Sequence, residues 1–337
     1  MSHLFEVRNV SKIFRSGPVW QREITRAVDN VSFALPDTRP TITGIVGESG
    51  SGKTTLAMML LGHVHPSSGQ IVFRGKDLAT MSRKERFEFR REVQPIFQDP
   101  FAAFNPFYRV DHVLTTPIAR FRLASSEKEA RQRMDEALEV VGLRPTETLG
   151  RFPHQLSGGQ RQRIMVARAM LCRPKLIVAD EPVSMVDASL RATILYGLQT
   201  LNRDLGISIV YITHDLTTAY QVCDNVIVMY AGSIVEAGHV EKIIHNPQHP
   251  YTQLLVSSIP TMDRSQRWAE EEGDEPATLT TRAVTGCKFA PRCQFVREEC
   301  WQAQPPLYRA GKESAAACIL HAQNGVLDEQ ELEQLLT

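Results

Sequence analysis

The sequence predicts an α/β protein with a helical subdomain inserted into its core and a small cysteine-containing C-terminal extension. Three observations carry this. Short β-branched runs alternate with helical stretches through most of the chain, the pattern of a largely parallel sheet. Residues 109–156 interrupt that alternation and read as mostly helical. Four of the six cysteines fall between positions 287 and 318, beyond an acidic stretch.

The strands come first. "VSFAL" (31–35), "TITGIV" (41–46), "IVFRG" (71–75), "LIVAD" (176–180), "ISIVYIT" (207–213) and "NVIVMY" (225–230) read as strands. Most are apolar on both faces, as in a sheet covered on both sides. Helical patterns occupy 53–62, 158–172, 188–204 and 215–223. Within the insert, "SEKEARQRMDEALEVVGL" opens on a capping box formed by Ser126 and Glu129. Pro250 starts a further helix, whose apolar stripe is Tyr251, Leu254, Leu255 and Ile259. "WAEEEGDEPATLTT" is acidic and poor in large apolar groups, as a linker is. The expected division is a core at 1–260 with a helical subdomain at about 99–170, a linker at 261–283 and an extension at 284–337.

Bulk composition narrows the class. A chain of 337 residues, 42% hydrophobic, suits one large domain plus an extension. Lys+Arg and Asp+Glu each number 38, so the formal charge is zero, which argues against a general nucleic-acid binder. No apolar run is long enough to span a bilayer, and "MSHLFEVRNV" lacks the pattern of a signal peptide. The expected location is the cytoplasm, where disulfides are rare. Any membrane association then runs through a partner. Cys172 and Cys223 lie in apolar surroundings and read as core residues.

"GESGSGKT", Gly47 to Thr54, follows a strand and opens a helix, the context a phosphate loop requires. Its glycines, Gly47, Gly50 and Gly52, let the backbone wrap so that successive N–H groups point inward at phosphate oxygens. Ser49 and Ser51 belong to the same nucleotide-binding stretch, and the helix adds its positive N-terminal end. Lys53 supplies a cation for the β- and γ-phosphates. The Thr54 hydroxyl is a ligand for Mg²⁺, and Thr55 reaches a nearer phosphate. "LIVADE" is an apolar strand ending in two carboxylates. Asp180 is placed to bind Mg²⁺ through water, and Glu181 to polarise an attacking water as general base.

"LSGGQRQR", residues 156–163, adds a second small-residue turn leading into a helix, hence a second anion-binding N-terminus. With "GESGSGKT", Gln98 of "IFQDP", "LIVADEP" and His214 of "YITHDL", it completes a set of five motifs in order. On these, the chain resembles the ATP-binding subunits of ABC transporters over about residues 4–258. The resemblance implies a P-loop ABC ATPase core in which Ser157, Gly158, Gly159 and Gln160 bind the γ-phosphate of ATP held by a second subunit. It implies that Gln98 senses Mg²⁺ and water, that His214 contacts the γ-phosphate, and that Asp187 of "SMVD" communicates across the dimer. Met185 and Val186 depart from the more usual "SALD". Phe14 is the candidate for stacking on adenine, with Trp20 as competitor.

"FQDPFAAFNP", "NPQHPYTQLLVSSIP" and "GCKFAPRC" resemble stretches of the dipeptide/oligopeptide/nickel importer branch. That resemblance implies a peripheral subunit on the cytoplasmic face of the inner membrane. Its partners would be two transmembrane permease subunits, a second ATP-binding subunit of the same or a related chain, and an extracytoplasmic solute-binding protein, with no nucleic acid. The rival classes are soluble ABC ATPases of translation, which usually carry two ATPase halves, and of DNA repair, which carry a long coiled-coil insertion. Neither feature is present here.

Cys287, Cys293, Cys300 and Cys318 are spaced C-x5-C-x6-C-x17-C. Structural zinc uses closer pairs. Four thiolates can hold a 4Fe–4S cluster, and the importer resemblance implies one here. Zinc and reduced structural thiols remain alternatives, and a disulfide framework ranks last.

Overall fold

A computed structural model describes residues 3–17, 23–99, 104–184, 186, 188–259, 285–327, 331, 332 and 335. The predicted linker at 261–283, Asp187 and Trp20 lie outside the described residues. The chain starts with two long strands, β1 (His3–Ser16) and β2 (Glu23–Pro36), then β3 (Ile42–Val46) and helix α1 (Lys53–Leu60). Next come β4 (Ser68–Phe73), β5 (Lys76–Asp77), α2 (Arg83–Glu92) and β6 (Val93–Ile96). Helices α3 (Asp111–Phe121), α4 (Glu127–Val140), α5 (Pro145–Thr148) and α6 (Gly158–Leu171) form the helical block. The chain then re-enters the core as β7 (Leu176–Asp180), α7 (Ala188–Leu205), β8 (Ser208–Thr213), α8 (Leu216–Val222), β9 (Asn225–Tyr230) and β10 (Ser233–His239). It continues through α9 (Val240–His245) and α10 (Pro250–Ser257) to β11 (Tyr308–Arg309) and β12 (Ser314–Ala316).

These strands make two sheets. An antiparallel one has the order β2-β1-β4-β5, and a larger one the order β11-β12-β10-β9-β3-β8-β7-β6. From β9 to β6 neighbouring strands run parallel, and β10, β12 and β11 add an antiparallel edge. The two-faced apolar strands explain the layering. Ile45, Val178, Val210, Ile212 and Ile227 point to one side, where Leu56, Met59 and Leu60 of α1 pack with Phe5 and Leu35 of the small sheet. Their neighbours Val46, Ile177, Ile209, Tyr211 and Val228 point to the other and pack with Ile164 and Met165 of α6 and Leu198 and Leu201 of α7. Alternation within each strand thus builds a core on both faces.

Several strands are longer than their apolar cores suggest. β2 begins at Glu23, well before "VSFAL", because β1 pairs with it from Phe5↔Leu35 to Ser16↔Glu23. Ser126 caps α4 by accepting the Glu129 N–H at 3.2 Å, but the Glu129 carboxylate bonds the Ser125 N–H and hydroxyl at 2.8 and 2.7 Å. The reciprocal half of the expected box is therefore displaced by one residue. In the helical block, α6 packs against both α3 and α4, burying Leu114, Leu138 and Ile164. Among the described residues no helix is long and apolar enough to cross a membrane. The extension joins the main sheet through β12, paired with β10 at Glu236↔Ala316 and Gly238↔Ser314.

Candidate nucleotide site

The loop between β3 and α1 needs its glycines for space as well as for dihedral freedom. Gly47 has φ +151° and Gly52 φ +98°. A Cβ on Gly47 would lie 2.2 Å from the Met229 carbonyl oxygen, and one on Gly52 2.2 Å from that of Ala27. A Cβ on Gly50, by contrast, would meet nothing within 4 Å, so the loop opens there onto free space. Gly52 also caps α1 without a side-chain hydrogen bond, leaving the first-turn N–H groups uncapped by a side chain. That is the geometry of an anion cradle.

Lys53 is buried, and its ammonium donates to the carbonyls of Gly47 (2.7 Å) and Glu48 (2.8 Å) and to Ser51 Oγ (3.3 Å). Burial lowers its pKa, against the opposing pull of Glu181, Asp180 and Glu48. Asp180, at the buried end of β7, has its pKa raised by burial and by Glu181, while Thr54 and Lys53 pull it down. Its Oδ1 is buried with no hydrogen-bond partner. An orphaned carboxylate oxygen beside a threonine hydroxyl is what an oxygen-seeking divalent cation requires, so the residues present fit Mg²⁺.

Glu181 takes the left-handed backbone conformation, φ +46°, an uncommon and strained one for this residue. Its N–H donates to the Ile212 carbonyl at 2.8 Å, tying the turn to β8. Gln98 Nε2 donates to one carboxylate oxygen at 3.0 Å, and His214 Nδ1 lies 2.9 Å from the other. Gln98 follows β6 and His214 follows β8, so the parallel sheet delivers all three to one edge. The Glu181 side chain is only 16% exposed, the His214 ring 58%. Glu48, Ser49, Gly50, Gly52, Lys53, Thr54, Thr55, Gln98, Glu181 and His214 line one open cleft.

The second turn lies on another surface. Ser157 caps α6: its Oγ accepts the Gln160 N–H at 3.2 Å, and Gln160 Oε1 accepts the Ser157 N–H at 2.9 Å. Ser157 is exposed, Gly158 partly so and Gly159 buried, and none of the four lines the cleft. The same helix reaches the cleft indirectly, through buried Gln162, which donates to the carbonyl of Phe97 beside Gln98 at 3.3 Å. Phe14 does not line the cleft either. It is 42% exposed beneath the Lys12 ammonium, 5.2 Å from its ring centroid, and pairs across the sheet with Thr25, which does line it.

The C-terminal side supplies a wall of the cleft that no local sequence pattern announces. Tyr251 of α10 accepts the Glu48 N–H at 2.8 Å. Lys288 donates to the Ala231 carbonyl, to Ser233 Oγ and to Asp29, each at 2.8 Å. Pro250 gave the start of α10, but nothing local in the sequence tells that Tyr251 faces the loop.

Cys287, Cys293, Cys300 and Cys318 line one narrow space with His249 and Phe289. All four are free thiols. Burial raises the pKa of Cys287 and Cys293, and that of Cys318 to about 11. Among the described residues no three histidine, cysteine or acidic side chains stand close enough to share a single metal ion.

Two family descriptions match the sequence: ABC transporter over residues 28–184, and oligopeptide/dipeptide transporter, C-terminal region, over 235–300. The oligopeptide transport ATP-binding protein OppF of Salmonella typhimurium is 39% identical over 293 residues, 86% of each chain. OppF of Haemophilus influenzae is 35% identical over 94% of this chain and 93% of its own. A dimeric ATP-binding cassette solved in a post-hydrolysis state with ADP and Pi superposes with a TM-score of 0.63 at 28% identity, covering 70% of this chain and 98% of that one. A further structure, cbiO1 of Clostridium perfringens, covers 73% and 92% with a TM-score of 0.61. The chain belongs to the ATP-binding subunits of ABC transporters, ATP-hydrolysing proteins whose sequence here includes the oligopeptide/dipeptide C-terminal region.

Proposed function

We propose that this chain is the motor of an ABC importer for peptides or related solutes, docked on the cytoplasmic face of the inner membrane. Two transmembrane permease subunits, a second ATP-binding subunit and an extracytoplasmic solute-binding protein would complete the machine. The names of the relatives, oligopeptide transport ATP-binding proteins, support the solute class.

The observation that carries the catalytic reading is Glu181, held between Gln98 and His214 beside the phosphate loop. Lys53 and the uncapped first turn of α1 bind the phosphates, and Phe14 or its competitor Trp20 meets the base. Thr54, Asp180 and Gln98 would hold Mg²⁺, which supplies charge neutralisation on the phosphate oxygens when bound. Glu181 orients and deprotonates the attacking water, and the strained turn fixes where its carboxylate points. His214 positions Glu181 and faces the γ-phosphate. The exposed Ser157 hydroxyl keeps its proton free for donation, so the α6 turn can bind a phosphate held by a second subunit. Each nucleotide then joins two chains, and ATP must favour the closed dimer by about 5.5 kcal/mol to shift it decisively. Hydrolysis releases that bridge. Gln98 and the Gln162–Phe97 contact pass the motion to the helical block and the permease.

The four cysteines are proposed to hold a 4Fe–4S cluster that orders the extension. Protein purified without oxygen should be brown and contain iron and sulfide; colourless, iron-free protein would end that reading. For the function itself, affinity purification of the chain from membranes should bring down two hydrophobic subunits and an ATPase activity. A chain that purifies from the soluble fraction with no membrane partner would overturn it.

A further inference from the structure

Glu48, the second residue of the phosphate loop, is held at both ends from the far C-terminal side. Its N–H donates to the Tyr251 hydroxyl at 2.8 Å. Its carboxylate accepts both guanidinium nitrogens of Arg292, with distances of 3.1 and 3.3 Å. Arg292 and Glu48 stand 244 positions apart in sequence. The guanidinium carbon also lies 5.7 Å from the centre of the Phe289 ring, which packs against Tyr251 at 5.5 Å and Tyr230 at 5.3 Å. Arg292 ends a tight turn, Ala290–Arg292, with its N–H bonded to the Phe289 carbonyl at 3.0 Å, and it directly precedes Cys293. Thr285, Gly286, Lys288 and Pro291 of the same segment line the cleft that holds Lys53 and Thr54.

We propose that Arg292 is a positioning residue of the phosphate loop, making the cysteine-bearing extension a working wall of the ATP site. A planar fork on a carboxylate fixes orientation in a way that a point charge does not. The Glu48 carbonyl itself receives the Lys53 ammonium at 2.8 Å, so a shift of its backbone moves the phosphate-binding lysine. The inference rests on reading this loop as the nucleotide site. Both partners are more than a third exposed, so the effect is modest.

The test is a double-mutant cycle on the full chain, read as the dissociation constant of a fluorescent methylanthraniloyl ADP. Arg292→Ala should weaken binding about three- to fivefold, Glu48→Gln by a similar factor, and the double variant no further than either. Arg292→Lys should recover only part of the loss, and the exchanged pair Glu48→Arg with Arg292→Glu most of it. Glu48→Gln leaves the extension untouched and serves if Arg292→Ala does not fold. Unchanged affinity in the single variants, or losses that multiply in the double, would overturn the inference. A wild-type chain that binds no nucleotide would instead sink the reading of the loop itself.

Discussion

His214 Nδ1 lies 2.9 Å from Glu181 Oε1, an ion-pair distance spanning 33 positions of sequence. The other oxygen of the same carboxylate takes Gln98 at 3.0 Å. A carboxylate with both oxygens engaged, on a backbone in the left-handed region, has little freedom to rotate. The parallel sheet makes this possible, because β6, β7 and β8 end side by side and each delivers one member of the trio.

Replacing Glu181 with glutamine keeps the shape and the contact with Gln98 or His214 while removing the proposed base. Turnover should fall about 100- to 10,000-fold, the usual worth of a positioned base. ATP affinity should hold within about twofold, since the phosphate loop is untouched. Steady-state hydrolysis and equilibrium ATP binding on the same preparation check this. Near-normal turnover would remove Glu181 from the role.

Gly52→Ala is expected to disable the loop. The residue sits at φ +98°, and the added Cβ would stand 2.2 Å from the Ala27 carbonyl oxygen. The backbone strain alone costs about 1–3 kcal/mol, and the clash with a strand of the other sheet adds to it. Nucleotide binding should be lost in calorimetric titration, with thermal unfolding shifted downward. Gly50→Ala is the control: it meets strain at φ +81° but no clash, so its stability loss should be the smaller.

Much of this site was legible in the sequence. The phosphate loop, the acid pair at the end of β7, Gln98 and His214 are local patterns, each with a flanking strand or helix that gives it context; so is the α6 turn, which lies outside the cleft. The buried strands were legible because β3, β7, β8 and β9 are apolar on both faces. β10 was not: it carries Glu236 and Gly238, and its burial comes from β9 and from β12, far along the chain. The same holds for Arg292 and Tyr251. Their contacts with Glu48 depend on where the extension packs, and no periodicity records that.

Glu236 offers a pH test of the support behind α10. It is fully buried on β10 and accepts the N–H groups of Gln248 and His249 at 2.8 and 2.9 Å, fixing the turn that leads to Tyr251. Burial, outweighing those bonds, raises its pKa to about 7. With the folded value above the unfolded one, the folded state binds the extra proton between them. The carboxyl's stabilising share is therefore complete below about pH 4.5 and lost as pH rises through about 7. Against Glu236→Gln, which does not titrate, wild type should lose up to about 3 kcal/mol between pH 4.5 and 7.5. Denaturant midpoints across that range measure it, and parallel curves for the two proteins would refute the assignment.

On the proposed function, ATP is hydrolysed between two subunits, with the loop at Lys53 on one facing the turn at Ser157 on the other. The decisive measurement is ATP turnover per chain against chain concentration, with the co-purified second ATP-binding subunit where there is one. The rate per chain should rise with concentration to a plateau, in step with dimer formed in sedimentation. A constant rate per chain down to concentrations at which only monomer sediments would mean that a single chain hydrolyses ATP alone.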